Sequence, residues 1–509
     1  MAPLMRSDPS HAVPTVVVIG AGIGGLSAAA LLAKRGYHVR VFEQAMVPGG
    51  CASTFRRRGF TFDVGATQVA GLEPGGIHHQ IFSELELELP AAEPCDPACA
   101  VFLPGESTPI HVWRDPQQWQ TERQRQFPGS EPFWQKLGEL FSYSWRFQTR
   151  QPVLPPRNVW DTWQLASALR PDTLLTVPYT FSTAGQLLKG YGLDKNRRLK
   201  TFLDLQLKLY SQVGADETAL LYAATALGVS QTPQGLSHLQ GSMQVLSDAL
   251  VTSIRQSGGQ VLLGHSVEHI QLEGDRPRFV RVRHQKTGDT WLEPADHVVA
   301  NVTVQNLTTL LGQQTPKGYQ RRVDKLVPSS GAFVVYLGVD QAAIPEDCPP
   351  HLQFLYDYDG PIGENNSLFV SVSRPGDGRA PEGKATIVAS SFTDVQAWQK
   401  CNDYAGLKAE YEQGAIAKLN QFFNLDPQHI VHAESGTPRT FERYTARHQG
   451  MVGGIGQRLS TFGPFGFATR TPIPKLWLVG DCVHPGEGTA GVSYAALTAV
   501  RQIDAMERR

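Results

Sequence analysis

The stretch VVVIGAGIGGLSAAALLAKRGYHVRVFE, residues 16–43, decides the fold. Its β-branched run Val16–Ile19 reads as a buried strand entering Gly20-Ala21-Gly22-Ile23-Gly24-Gly25. An alanine- and leucine-rich helix follows to about Arg35, Gly36 supplies its stop signal, and Val39–Phe42 is a second strand. In a G-x-G-x-x-G turn each glycine has its own reason. Gly20 permits the tight turn, Gly22 lets a pyrophosphate reach the backbone, and Gly25 lets the helix pack on its strand. Ile23 and Gly24 begin the helix, so unsatisfied N–H groups and the positive end of the helix dipole point at the phosphates. Glu43 ends the second strand near the offset at which a carboxylate accepts hydrogen bonds from an adenosine ribose, with Gln44 beside it. That acid disfavours a 2'-phosphate. The bland reading, a glycine turn in an ordinary βαβ unit, leaves the ordered strand, turn, helix, strand and acid without a common reason. An ADP-containing dinucleotide is therefore expected.

At the other end, LWLVGD (476–481) is a strand running into a glycine-rich loop, and Gly491–Met506 carries helical periodicity. Gly480, Asp481, Gly491 and Val492 are the candidate site residues there. Between these two Rossmann-like pieces, Ser242–Gln256 has helical spacing, and Gly258-Gly259 leads into the strand patterns VLLG, VEHIQL, RFVRVRH and HVVAN. These are expected to add a small antiparallel or mixed sheet to the nucleotide fold. Further strands are expected at Phe333–Val339, Leu368–Val372 and Ile387–Ser391. The fold class is thus α/β: a Rossmann-like dinucleotide-binding domain of residues 14–70, 235–305 and 470–509, with a discontinuous mixed α+β substrate domain of residues 71–234 and 306–469. Residues 1–13 are expected to form a mobile tail.

A chain of 509 residues is too long for a peptide hormone or a disulfide-stapled module. With 41% hydrophobic and 18% charged residues, and 46 Lys+Arg against 47 Asp+Glu, it is a folded globular chain with no global attraction to nucleic acid. Cys51, Cys95, Cys99, Cys348, Cys401 and Cys482 contain no C-x-x-C, which fits a reducing compartment. Cys95, Cys99 and the pair His78-His79 share no ligand spacing, so no metal is expected. The opening residues lack the apolar stretch of a secretory signal. Thr218–Ser247, the longest stretch without a charged residue, is broken by Pro233 and several glycines and cannot span a membrane. A cytoplasmic location is expected.

After Glu43 come Pro48-Gly49-Gly50 and RRRGFTFDVGAT (56–67), and near the C-terminus GDCVHPGEGTAGVSYAA (480–496). This arrangement resembles the FAD-binding amine oxidase and phytoene desaturase superfamily, whose nucleotide fold is of the glutathione reductase type. The resemblance implies FAD as cofactor, with Gly49 and Gly50 near the diphosphate and Gly480-Asp481 returning to the flavin. Asp481 at a strand end can accept from ribityl hydroxyls or, in the bland reading, cap the last helix. A second glycine fingerprint, as in NADPH-using relatives, is lacking, because VGGIGQRL (452–459) follows no strand-like run. Electrons are therefore expected to leave to oxygen or a quinone, or the reaction to be redox-neutral.

Within the superfamily the chain is most similar to the carotenoid desaturases and isomerases, through the N-terminal motif, GSMQVLSDALVTSIRQSGGQVLLGHSVEHI (241–270), TPRTFERYTARHQG (437–450) and the closing motif. DVGATQVAGLEPGGIHH (63–79) and PCDPACAVFLPGE (94–106) resemble the cyanobacterial carotenoid 3',4'-desaturases. The resemblance implies a hydrophobic carotenoid substrate, backbone contacts from Val267 to the adenine side, and His484-Pro485-Gly486 close to the isoalloxazine. Glu487 and Ala490 depart from the small or apolar neighbours usual in phytoene desaturases, as does Tyr494-Ala495-Ala496, which argues against phytoene itself. His484 is the nearest titratable candidate, yet a histidine held there for shape fits equally, and no catalytic base is named. Arg56-Arg57-Arg58 reads as positive charge near the diphosphate or as a solvated basic run, with one of the three expected to be functional and to serve the diphosphate in the first reading. The helical stripe Leu199, Phe202, Leu203, Gln206, Leu209 and Tyr210, flanked by lysines and arginines, reads either as core or as a face for peripheral membrane attachment. Three functions remain: desaturation of an acyclic or monocyclic carotene, redox-neutral prolycopene-type isomerisation with reduced FAD, and non-enzymatic lipid escort.

Overall fold

Val16, Val17 and Val18 are wholly buried because their strand, Thr15–Ile19, is the centre of a five-stranded parallel sheet. The computed structural model describes residues 13–233 and 235–508, so the tail expected at the N-terminus lies outside the described residues except for Val13. Across the sheet the order is Leu476–Leu478, His297–Ala300, Thr15–Ile19, His38–Glu43 and Gln260–Leu263. Ile19 pairs with Phe42 and Ala300, and Ala300 with Leu478. All five strands run the same way, so their C-terminal ends deliver Gly20, Glu43, Asn301 and Gly480 to one edge, where ligands of open α/β sheets bind.

Helices cover the sheet, as a parallel sheet buried on both faces requires. Helix Ile23–Lys34 is buried along nearly its whole length, between Gln244–Gln256 and the C-terminal helix Thr489–Glu507. Its run Ala28-Ala29-Ala30 permits that close approach, and the Ser27 and Ser493 hydroxyls meet at 3.3 Å. The strands His265–Glu273, Arg276–His284 and Thr290–Pro294 form a three-stranded antiparallel sheet beside the parallel one.

The remaining large sheet has seven strands, ordered Ile430–Gly436, Gly331–Asp340, Lys384–Thr393, Ser367–Val372, His351–Leu355, Cys99–Phe102 and Ile110–Val112. It contains the three strands read from the sequence, each of them longer than expected. Helix Arg197–Ser211 turns Leu199, Phe202 and Leu203 into a core with Trp119, Phe127 and Trp134, and Gln206 donates to Gln353 at 2.6 Å. Leu199, Phe202, Leu203 and Gln206 are therefore core while Leu209 and Tyr210 border the cavity described below, so the reading of the stripe as a membrane face is corrected. Arg56, Arg57 and Arg58 are exposed on a hairpin, where Arg57 pairs with Glu434 at 3.1 Å and Arg58 donates to the Val431 carbonyl. None of the three lines the cofactor cavity described below, so the expectation that one serves the diphosphate is not met.

A buried ionic cluster ties the two layers together. Arg379 donates to Asp63 Oδ2 at 3.0 and 3.1 Å, to the Leu239 carbonyl at 2.8 Å and toward Asp377 at 3.3 Å, while His238 Nε2 stands 3.0 Å from Asp377. Asp63 Oδ1 also accepts from the Met243 backbone at 2.8 Å, just before helix Gln244–Gln256. Losing one partner would strand a charge away from water. Arg379→Met is expected to lower stability by about 3–5 kcal/mol. The double variant Asp63→Asn/Arg379→Met should recover a measurable part of that loss, read as denaturant midpoints of the single and double variants.

Candidate functional site

Side chains are excluded from the first turn by geometry. A Cβ on Gly22 would lie 2.7 Å from Asn301 Nδ2, one on Gly24 2.9 Å from Asn301 Oδ1, and one on Gly25 2.2 Å from the Gly20 carbonyl oxygen. Gly20 adopts φ +92°, a conformation that favours glycine. The double glycine returns to the same place: the Gly49 amide donates to the Ala21 carbonyl at 2.7 Å, and Gly22 and Gly49 form a parallel bridge.

One cavity of about 1270 Å³ runs past this turn. It is bordered by Gly20, Gly22, Ile23, Gly24, Glu43, Gln44, Gly49, Gly50, Val267, Gly480, Asp481, Gly491 and Val492. Of the candidate cofactor residues of the glycine turn, Gly25 stands back from it, packed on Gly20 and Asn301, and of the His484-Pro485-Gly486 loop Pro485 alone borders it. Glu43 is buried, its Oε2 accepting from the Ala21 amide at 2.7 Å and its Oε1 from the Ala45 amide at 2.8 Å. Burial raises its pKa, and the donated N–H groups oppose the rise. Those bonds fix the carboxylate in the cavity wall with lone pairs to spare for further donors.

Two helix starts converge on the cavity. Neither Gly22, before helix Ile23–Lys34, nor Gly488, before helix Thr489–Glu507, has a side chain with which to cap the exposed N–H groups. Both ends are thus open to an anion. Arg447, also in the cavity wall, pairs with Asp481 through Nη1 at 2.8 Å, while its Nη2 is buried with no hydrogen-bond partner among the described residues. An orphaned guanidinium nitrogen, two uncapped helix starts and a side-chain-free cradle fit a dinucleotide diphosphate. Gly22, Gly24, Gly50 and Arg447 would hold the phosphates, and Glu43 the adenosine ribose.

Three residues of this wall were not singled out from sequence as site residues. Asn301 sits at the end of the HVVAN strand pattern, where a third parallel strand must deliver its last residue beside the glycine turn. Arg447 lies in TPRTFERYTARHQG, quoted only for resemblance, and Gln212 carried no signal. The VGGIGQRL segment forms no strand; its Gly453 and Gly454 adopt φ +71° and +67°, and Gly454 lies against Asp481. His484 is enclosed, with Nε2 3.4 Å from Gln148 Oε1 and Nδ1 without a partner among the described residues. Burial lowers its pKa to about 4, so it is a neutral imidazole at pH 7 and does not change charge near neutrality.

Gly25→Ala would drive a methyl into a backbone carbonyl that cannot yield, and is expected to purify without flavin absorbance. Arg447→Met keeps the stem and removes the charge; flavin affinity should fall at least about tenfold, since a hydrogen bond to a charged group contributes about 1.5–3 kcal/mol. Flavin titration of the apoproteins checks both.

Residues 23–504 match the family described as flavin containing amine oxidoreductase. The chain is 26% identical to the chloroplastic prolycopene isomerase of Daucus carota, over 96% of this chain and 80% of that one. It is also 26% identical to the zeta-carotene-forming phytoene desaturase of Myxococcus xanthus, over 94% and 92%. The structure superposes on cyclohexylamine oxidase from Brevibacterium oxydans with a TM-score of 0.62 at 16% identity, covering 97% of this chain and all of the other. With the cradle built as described and the match spanning nearly its whole length, the chain belongs to the flavin-containing amine oxidoreductase family, and its cofactor is FAD.

Proposed function

We propose that the protein is an FAD-dependent carotenoid desaturase that introduces a double bond, at the 3',4' position, into an acyclic or monocyclic carotene. One observation carries this reading: the cofactor cradle and an apolar channel are a single cavity. Beyond the cradle its walls include Leu209, Leu221, Val229, Phe369, Phe392 and Phe441, and it reaches the surface at Leu169 and Val177. At about 1270 Å³ it exceeds the several hundred Å³ of an ordinary small-ligand site. Apolar walls bury a hydrocarbon without asking it for hydrogen bonds, and the glycine cradle holds the far end open for the cofactor. Bound FAD supplies the two-electron acceptor for such a dehydrogenation. Oxygen or a quinone, carrying the electrons away, completes the turnover.

A second reading, redox-neutral cis–trans isomerisation, draws on the likeness to prolycopene isomerases, which extends over 96% of the chain. Non-enzymatic escort gains nothing from an intact cradle. Anaerobic mixing of the oxidised holoprotein with an acyclic carotene separates the two enzymatic readings. Desaturation bleaches the flavin and gives a product two hydrogens lighter; isomerisation leaves the mass unchanged and overturns the proposal.

The channel rim supports peripheral membrane attachment. Val159, Trp163 and Phe181 are 84%, 67% and 64% exposed, and Leu174 and Leu175 beside them are also exposed. Arg157 precedes this stretch and Arg170 lies within it, both exposed. Solvent-facing aromatic and aliphatic side chains on the stretch that also carries the mouth residues Leu169 and Val177, with cations beside them, suit the interface of an anionic bilayer, from which an insoluble carotene must be drawn. Among the described residues no helix is long and apolar enough to cross a membrane. Trp163→Ser/Phe181→Ser is expected to abolish flotation with anionic liposomes while leaving the flavin spectrum intact; unchanged flotation would exclude this face.

A further inference from the structure

Glu487 stands in the cavity wall between Pro485 and Gly488, in the loop that also carries Asp481. Its Oε2 accepts from Gln212 Nε2 at 3.1 Å. Its Oε1 is shielded from solvent and has no hydrogen-bond partner among the described residues, and the same holds for Gln212 Oε1. The pair is built with some care. Gln212 ends helix Arg197–Ser211 at φ +67°, in the left-handed region, and Lys208 Nζ donates to its carbonyl at 2.8 Å. Gly453 lies beneath both side chains: a Cβ there would stand 2.0 Å from Gln212 Nε2 and 2.2 Å from Glu487 Oε2. Three segments distant in sequence thus converge to hold one carboxyl in a largely apolar cavity, and nothing among the described residues uses its second oxygen.

We propose that Glu487 is the general base of the dehydrogenation, taking the proton from the substrate carbon next to the one that gives up hydride. The inference rests on the desaturase reading above. In the step, one C–H bond breaks and its electron pair leaves as hydride to the flavin oxidant. The C–H bond on the adjacent carbon breaks, its proton goes to Glu487 Oε1, and its electron pair becomes the second bond of the new C=C. Solvent later removes the proton from the carboxyl, restoring the base.

The surroundings set the pH at which this base works. Burial raises the Glu487 pKa well above that of an ordinary glutamate; the bond from Gln212 opposes the rise, Asp481 reinforces it, and the cations Arg447 and Lys208 oppose it. Tyr222, on helix Leu220–Ser230, also borders the carboxyl, and burial keeps its phenol protonated. His484 in the same loop is neutral at pH 7. A base must be ionised to act, so the rate of flavin reduction by carotene rises with pH through the Glu487 ionisation and levels off above it.

The test uses the FAD-loaded protein and its Glu487→Gln, Glu487→Asp and Gln212→Asn variants. Infrared titration, which needs no substrate, is expected to show a protonated-carboxyl band in the wild type that disappears as pH rises well above the ordinary glutamate range. The band should be missing in Glu487→Gln. Gln212→Asn keeps a residue suited to the left-handed backbone but withdraws the donor, and should move the midpoint to higher pH. In anaerobic single turnover, Glu487→Gln is expected to slow flavin bleaching about 100-fold or more and to lose the rising pH limb, with Glu487→Asp recovering part of the rate. Flavin content and carotene binding of Glu487→Gln should match the wild type, which shows the variant to be folded. A carboxyl that titrates as an ordinary glutamate, or a bleaching rate and pH limb unaltered in Glu487→Gln, overturns the assignment. Failure of the wild type to desaturate any carotene would instead overturn the parent reading, and the infrared titration tells the two failures apart.

Discussion

Close packing of backbone against Asn301 is the constraint on which the rest of the molecule depends. The side chain of this residue fills the space that Cβ atoms at Gly22 and Gly24 would need, and its backbone N–H donates to the Ile19 carbonyl at 2.8 Å. A Cβ on Gly480 would come within 3.1 Å of its Oδ1. Three strands far apart in the chain, ending at Ile19, Ala300 and Leu478, are thereby held at one level, and the two uncapped helix starts face one space. Because the contact is steric, a methyl on Gly22 or Gly24 would have to displace the Asn301 side chain from the place it fills.

Around that hub the protein separates two kinds of burial. The channel is walled by aliphatic and aromatic side chains that gain from any apolar occupant. Away from the cofactor wall, buried charges sit in bonded groups, among them Asp63, Arg379, Asp377 and His238 at the junction of the layers and Asp161 beneath the rim. Asp161 has no exposed surface; it accepts from Gln502 Nε2 at 3.0 Å and from Arg470 Nε at 3.2 Å, and so fastens the rim segment to the C-terminal helix. A buried charge is tolerable only when its partners are fixed, which is why each such cluster bridges separate chain segments.

Much of this was legible in the sequence where chemistry is local. The succession from Val16 to Glu43 contains its own turn, helix and strand signals, and the parallel sheet follows from it. The seven-stranded sheet was legible only in part: Phe333–Val339 has a strong β-branched pattern, whereas Cys99–Phe102 is too short to carry one and pairs in parallel with His351–Leu355, some 250 residues away. Arg447 was hidden because its cation finds Asp481 only in three dimensions. The stripe on Arg197–Ser211 shows the converse, since one helical period serves a core or a membrane equally and only packing decides. Exposed apolar residues at Val159–Phe181 have no such periodicity, and nothing local in the sequence links them to the cavity that Leu169 and Val177 border.

The parallel sheet is assembled from strands that begin at residues 15, 38, 260, 297 and 476. The hub cannot close around Asn301 while the ribosome is still translating the middle of the message, because Gly480 and the second helix start do not yet exist. The nascent protein must therefore wait with an incomplete cradle and an open apolar channel, and the coenzyme can lock the structure only after residue 492 has been made. A complete binding site, and with it any stabilisation that the coenzyme lends, therefore comes only with the last part of synthesis.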